Sequence, residues 1–136
     1  VSEVEFEPAL VQELKIIPAL GNRIYPLDAP EATAGNGVPY LIYGSSEGLR
    51  DKTLGGYLDS KEVRAELNII AARYADMKSI TKQVIAILLS FEGRQIGSGG
   101  PFIDELVYQS PVEIYENQPN LYRCVVEFSA YFAEED

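Results

Sequence analysis

The chain of 136 residues carries 11 basic against 21 acidic side chains, a formal charge of −10, with one cysteine and no histidine. That length suits one unit with a single core, and the charge leaves no basic stripe for a nucleic-acid backbone, so tight DNA binding is not expected. Without histidine no Ser-His-Asp or Cys-His arrangement exists and the commonest transition-metal ligand is missing, while a lone cysteine closes no internal disulfide.

The first residues, VSEVEFE, are acidic where a signal peptide is basic and then apolar, and no apolar run approaches the roughly 20 residues of a membrane span. A soluble protein that folds in a reducing cytoplasm is expected. Phe6, Leu10, Leu14 and Ile17 recur at helical spacing and predict a first helix over about residues 6–17. Pro8 falls in its first turn, where proline is tolerated, and the acidic start suits the helix dipole. Pro18 and Gly21 end it. RIY before Pro26 is short enough for only a brief strand, and the following connector is made of Pro, Ala, Gly, Asn and acidic residues.

VPYLIYG, residues 38–44, reads as the next strand. Gly44 to Gly56, GSSEGLRDKTLGG, reads as a long mobile hairpin loop. Val63, Ala65, Leu67, Ile69 and Ala71 then alternate with polar neighbours, the strongest strand pattern in the chain. Asp76 is placed to cap a second helix whose apolar positions are Met77, Ile80, Val84, Leu88 and Phe91, with Gly93 to stop it. Ile85, Ile87 and Leu89 widen its apolar arc beyond one stripe. Such width fits deep packing against the sheet or contact of one side with a neighbouring subunit. The last third reads as two strands joined by ENQPN, with Tyr122, Cys124, Val126, Phe128, Ala130 and Phe132 on one face. The expected fold is α+β: a mostly antiparallel sheet in a single unit over residues 1–136, two helices on one face, and a long β-hairpin loop.

Motifs that carry chemistry are absent or weak. GSGG at 97–100 lacks the Lys-Ser/Thr continuation of a phosphate loop and precedes Pro101 and a strand, so it reads as a flexible turn. Asp104 with Glu105, or Asp51 with Asp59, offer paired carboxylates, yet among 21 acids chance pairs are expected and a solvated face is the simpler reading. Cys124 lies in an apolar strand and reads as a small buried hydrophobe. Tyr40, Tyr43, Tyr115, Tyr122 and Tyr131 sit in strand patterns where tyrosines pack. No catalytic, cofactor or metal residue is assigned. A carboxylate-dependent hydrolase would need a concave site with two acids of perturbed pKa, and a monomeric ligand-binding module would need an enclosed apolar pocket. A protein that works through surface shape fits best.

Taken in order, GNRIYPLDAP, VPYLIY and LYRCVVEFSAYF resemble the tail-completion, or tail terminator, proteins of long non-contractile-tailed phages and related prophages. The resemblance covers the whole chain. It implies a non-enzymatic structural subunit that forms a homohexameric ring on the head-proximal end of the tail tube. The ring stops tube growth and docks to the head-tail connector protein, and DNA passes through it without specific binding. It further implies a virion component assembled in the host bacterial cytoplasm, with no cofactor and no membrane partner. A head-side connector or stopper of the same joint is the nearest alternative. Interface contacts are expected from Glu47, Leu49, Arg50, Asp51, Lys52 and Leu54 in the long loop. Arg64 and Arg123 are expected to face acids of the next copy.

Overall fold

The computed structural model describes residues 5–27, 29, 39–46, 52–53, 56–57, 60–116 and 121–133. The elements are α1 (Phe6–Leu14), β1 (Ile24–Pro26), β2 (Tyr40–Ser45), β3 (Lys52–Thr53), β4 (Gly56–Tyr57), β5 (Ser60–Ala71), α2 (Tyr74–Leu89), β6 (Arg94–Gln95), β7 (Phe102–Ile103), β8 (Glu105–Tyr108), β9 (Val112–Glu116) and β10 (Leu121–Ala133). The main sheet runs β1-β2-β5-β10-β8, with β9 also paired to β10. The α+β fold read from the sequence is therefore the observed one. Both helices lie on one face.

The helices share that face because their apolar stripes and the inward strand residues make one core. Phe6, Leu10 and Leu14 of α1 and Met77, Ile80, Val84 and Leu88 of α2 are buried in one cluster with Leu67 and Ile69 of β5 and Val126 and Phe128 of β10. Each such side chain contributes about 1.5–3 kcal/mol on full burial. The Phe6 ring stacks on Phe132 at 6.0 Å and tilts against Phe128 at 6.2 Å, fixing α1 to β10. Helix α1 stops at Leu14, before Ile17, but Ile17 stays buried because its N–H bonds the Leu14 carbonyl at 3.1 Å and tightens the turn.

Several expectations need correction. The first strand does not pair antiparallel: β1 runs parallel to β2, Ile24 opposite Leu41 and Pro26 opposite Tyr43. A parallel return needs about a dozen residues, and the connector between Pro26 and Tyr40 supplies that length. Helix α2 begins at Tyr74, with Arg73 in the N-cap position and no side-chain cap bond; Asp76 lies inside the first turn, where its charge still suits the dipole. Gly93, at φ +79°, follows the helix as expected and donates its N–H to the Ile103 carbonyl at 2.8 Å.

From Pro101 on, where two strands were expected, there are four, β7 to β10. β6 and β7 form a small separate ladder. β8 and β9 lie end to end along one side of β10, with Tyr108 opposite Phe128 but Val112 opposite Val125. The spacing slips by one residue around Pro111, which has no N–H to give a ladder; the result is a bulge on an edge strand. The long loop between β2 and β5 also holds order. Ser46 donates to the Arg64 carbonyl, the Arg64 N–H bonds the Ser46 hydroxyl at 2.9 Å, and β3 pairs with β4.

Candidate functional site

The sheet has one closed face and one open one. Alternation along β5 and β10 that sends Leu67, Ile69, Val126 and Phe128 under the helices sends Glu62, Arg64, Glu66, Asn68, Glu127 and Tyr131 to the other side, where no helix lies among the described residues. At one end of this open face Tyr40, Ile70 and Leu121 make a small second cluster, with Tyr25, Ala29 and Ile42 against it. The rest is accessible and mixes charged residues with the exposed Val107, Val112 and Ile114 of β8 and β9.

A shallow groove of about 640 Å³ crosses the open face, lined among others by Leu27, Ile42, Gly44, Arg64, Glu66 and Glu127. It exists because Gly44, opposite Glu66, brings no side chain to that row. Leu27 stands at its rim, 81 % exposed, with φ +65°, a conformation costly for a bulky residue. Its N–H is held by the Tyr43 carbonyl at 2.9 Å.

The electrostatics of the face are uneven. Glu66 and Glu127 sit directly opposite each other on adjacent strands. Glu66 accepts one long bond from Asn68 at 3.3 Å, and Glu127 has no side-chain partner among the described residues. Like charges opposed in this way destabilise a strand pair. One row along, the Arg64 guanidinium, 78 % exposed, pairs with Glu62 at 3.4 Å. Tyr131 donates to Glu62 at 3.0 Å, which pushes its phenol pKa up. Arg123 donates to Glu116 at 2.7 Å and Asn68 at 3.0 Å, so its guanidinium is already held within its own chain.

Of the eight residues nominated from sequence, Glu47, Leu49, Arg50, Asp51 and Leu54 lie outside the described residues, and Lys52 is described only as backbone of β3. Arg64 and Arg123 are both on the open face. Opposed Glu66 and Glu127 were missed, because alternation shows that each points outward but not that they meet.

The other candidates resolve into structure. GSGG is a packed turn and no anion cradle, since the Gly97 N–H donates to the Glu13 carboxylate at 2.6 Å and the Ser98 N–H to Gln12 at 2.7 Å. Cys124 is buried, and burial pushes its thiol above the ordinary 9.0. Tyr74, Tyr122 and Tyr115 pack ring to ring at 5.6 and 4.8 Å. Asp104 and Glu105 are both exposed, and Asp51 and Asp59 lie outside the described residues. Among the described residues no three His, Cys, Asp or Glu groups could hold a metal ion, and no helix is long and apolar enough to cross a membrane.

The geometry defines an α+β subunit whose helices close one sheet face and whose other face is open and charged. The chain matches the family described as tail completion protein gp17 over residues 8–133 and belongs to that family. It is a structural phage tail-completion protein and not an enzyme. It is similar to a chain in a solved structure of the virion of a native gene transfer agent particle, with 18% identity, 95% of each chain covered and a TM-score of 0.66. A second solved chain, which carries no functional name, is 12% identical with a TM-score of 0.54, covering 96% of this chain and 92% of that one. At these identities the likeness is one of fold. No curated protein matches the sequence at a significant level.

Proposed function

We propose that the protein caps the head-proximal end of a phage tail tube as a six-membered ring, ends tube growth, and offers the surface on which the head connector docks, with DNA passing through. The observation that carries this reading is the family match along nearly the whole chain, joined to an open sheet face that a free subunit leaves uncovered. The charge agrees with it. Six copies at −10 carry a formal −60, and a channel of that sign does not hold phosphates. The Gly44–Gly56 loop, with Arg50 and Lys52, reaches the tail tube or a neighbour, and Arg64, the more exposed of the two arginines on the open face, meets an acid of the next copy and sets register.

The test is the mass of the purified protein by light scattering over a concentration series, with and without isolated tail tubes, and negative-stain images at the high end. Open-centred rings of six are expected, and binding to isolated tails in preference to filled heads. A monomer under every condition, tubes included, overturns the reading. Arg50→Glu with Lys52→Glu is expected to block tail joining; full joining by that variant removes the loop from the interface.

A further inference from the structure

The second helix has a solvent side that its packing leaves unused. Ala75, Ser79, Lys82, Ala86 and Leu89 are exposed at steps of four, three, four and three, so they form one crest along α2, with Ile85 half-buried beside it. Leu89 is 56 % exposed. After Asp76 in the first turn α2 carries no further acid, while Lys78 and Lys82 lie along it. Lys78 is engaged by Glu113. Lys82 has no ion pair or hydrogen bond among the described residues. In a chain of charge −10 this crest is a local excess of positive charge on the side of the molecule opposite Glu66 and Glu127.

We infer that the open sheet face of one copy seats on the α2 crest of the next, with Lys82 entering the groove between Glu66 and Glu127. The occupant is a second copy of this chain, for two reasons. The charges are complementary, a cation with no partner among the described residues on one side of the molecule and two opposed carboxylates on the other. The shapes agree as well: Gly44 brings no side chain to the row beside Glu66, where the exposed Leu27 leans over it, and small residues flanking Lys82 on the crest let the helix approach the sheet. The two surfaces lie on different sides of one subunit, so the contact is head to tail. A contact of that kind repeats from copy to copy and closes into a ring where its rotation allows. The wide apolar arc of α2 then has its explanation, since Leu89 and Ile85 are covered by the neighbour. This inference rests on the ring reading and names the surfaces that build the ring.

Two half-blocked proteins test it. One carries Glu66→Lys and Glu127→Lys, the other Lys82→Glu. Each alone is expected to self-associate at least about tenfold more weakly than wild type, because like charges meet at its contact. Mixed, the two proteins meet through complementary charges at both contacts, the original pair at one and the reversed pair at the other, so the mixture is expected to assemble by light scattering, as is a chain that carries all three substitutions. Ser129→Cys with Ala86→Cys, treated with a short bis-maleimide at high concentration and on tail tubes, is expected to give a ladder of covalent multimers; wild type, whose cysteine is buried, is the control.

Rings that form regardless of all these charge changes and give no ladder overturn the inference and leave the ring reading standing. Assembly restored by the charge reversals and a ladder, both without closed rings, uphold the pairing and overturn the ring. A monomeric band under every condition, tail tubes included, overturns both.

Discussion

Glu13 joins two parts of the chain far apart in sequence. From α1 it accepts two bonds from the Arg94 guanidinium, at 3.1 and 2.8 Å, and the Gly97 N–H at 2.6 Å. Its side chain is 16 % exposed and that of Arg94 40 %. Glu13→Gln keeps one acceptor oxygen but loses the charge and sets an amide N–H against the guanidinium. Hydrogen bonds to charged groups contribute about 1.5–3 kcal/mol, and the half-open arginine argues for the lower part of that range. The expected loss is about 2 kcal/mol, or roughly 7 °C in melting temperature for a domain of this size.

The pH dependence of that loss has a definite sign. The Arg94 bond first, then the Gly97 N–H and the arginine charge, outweigh burial and hold the Glu13 pKa below its ordinary 4.5. A depressed carboxylate contributes its full stability above the unfolded value and loses it as pH falls through the folded one. The gap between wild type and Glu13→Gln in paired thermal melts is therefore constant near neutrality and closes as pH drops below 4.5. A variant that melts within about 1 °C of wild type at neutral pH, or a gap that fails to narrow in acid, refutes the account.

Gly97→Ala is expected to cost about 2–4 kcal/mol, because Gly97 has φ +61° and a Cβ there meets Ala9 Cα at 2.8 Å; Gly21→Ala, at φ +54° but in open space, costs only about 1 kcal/mol in the same urea titration. Phe6→Ala removes a fully buried ring stacked on Phe132 and is expected to lower stability by about 3–5 kcal/mol. Glu66→Lys turns a like-charge pair into an opposite one and stabilises the free subunit by about 0.5–1 kcal/mol, seen as a raised melting temperature. Cys124 stays unmodified by a thiol reagent in the native protein and reacts only after unfolding.

How far sequence reading reached depends on the range of each interaction. Phe6, Leu10 and Leu14, or Val63 through Ala71, announce themselves because local periodicity decides which face they bury. The direction of β1 is invisible to that test, since an extended tripeptide looks the same parallel or antiparallel. β6, β7 and β8 are two to four residues long, shorter than any pattern can register. The slip at Pro111 had a signal in the proline itself, which cannot donate to a ladder, but its effect depends on which strand lies beside it. The candidate site was least legible. Arg123 reads as a free cation until β9 brings Glu116 beside it, and Glu66 and Glu127, 61 positions apart in sequence, meet only through the register of β5 with β10.

An open face alone says little, since antiparallel sheets commonly leave one side to water. What separates this face from a merely solvated one is how its charges are spent. Arg64 lies one row from the opposed carboxylates, on the same face and at the diagonal spacing a long side chain can bridge. It reaches Glu62 instead, and Glu62 already has the Tyr131 hydroxyl. The fold thus leaves Glu66 and Glu127 opposed, while Lys82 on the far side has no partner among the described residues. Neither charge arrangement serves the isolated fold. The opposed carboxylates cost the isolated fold stability, and the proposed contact with a second copy would return it by setting Lys82 between them.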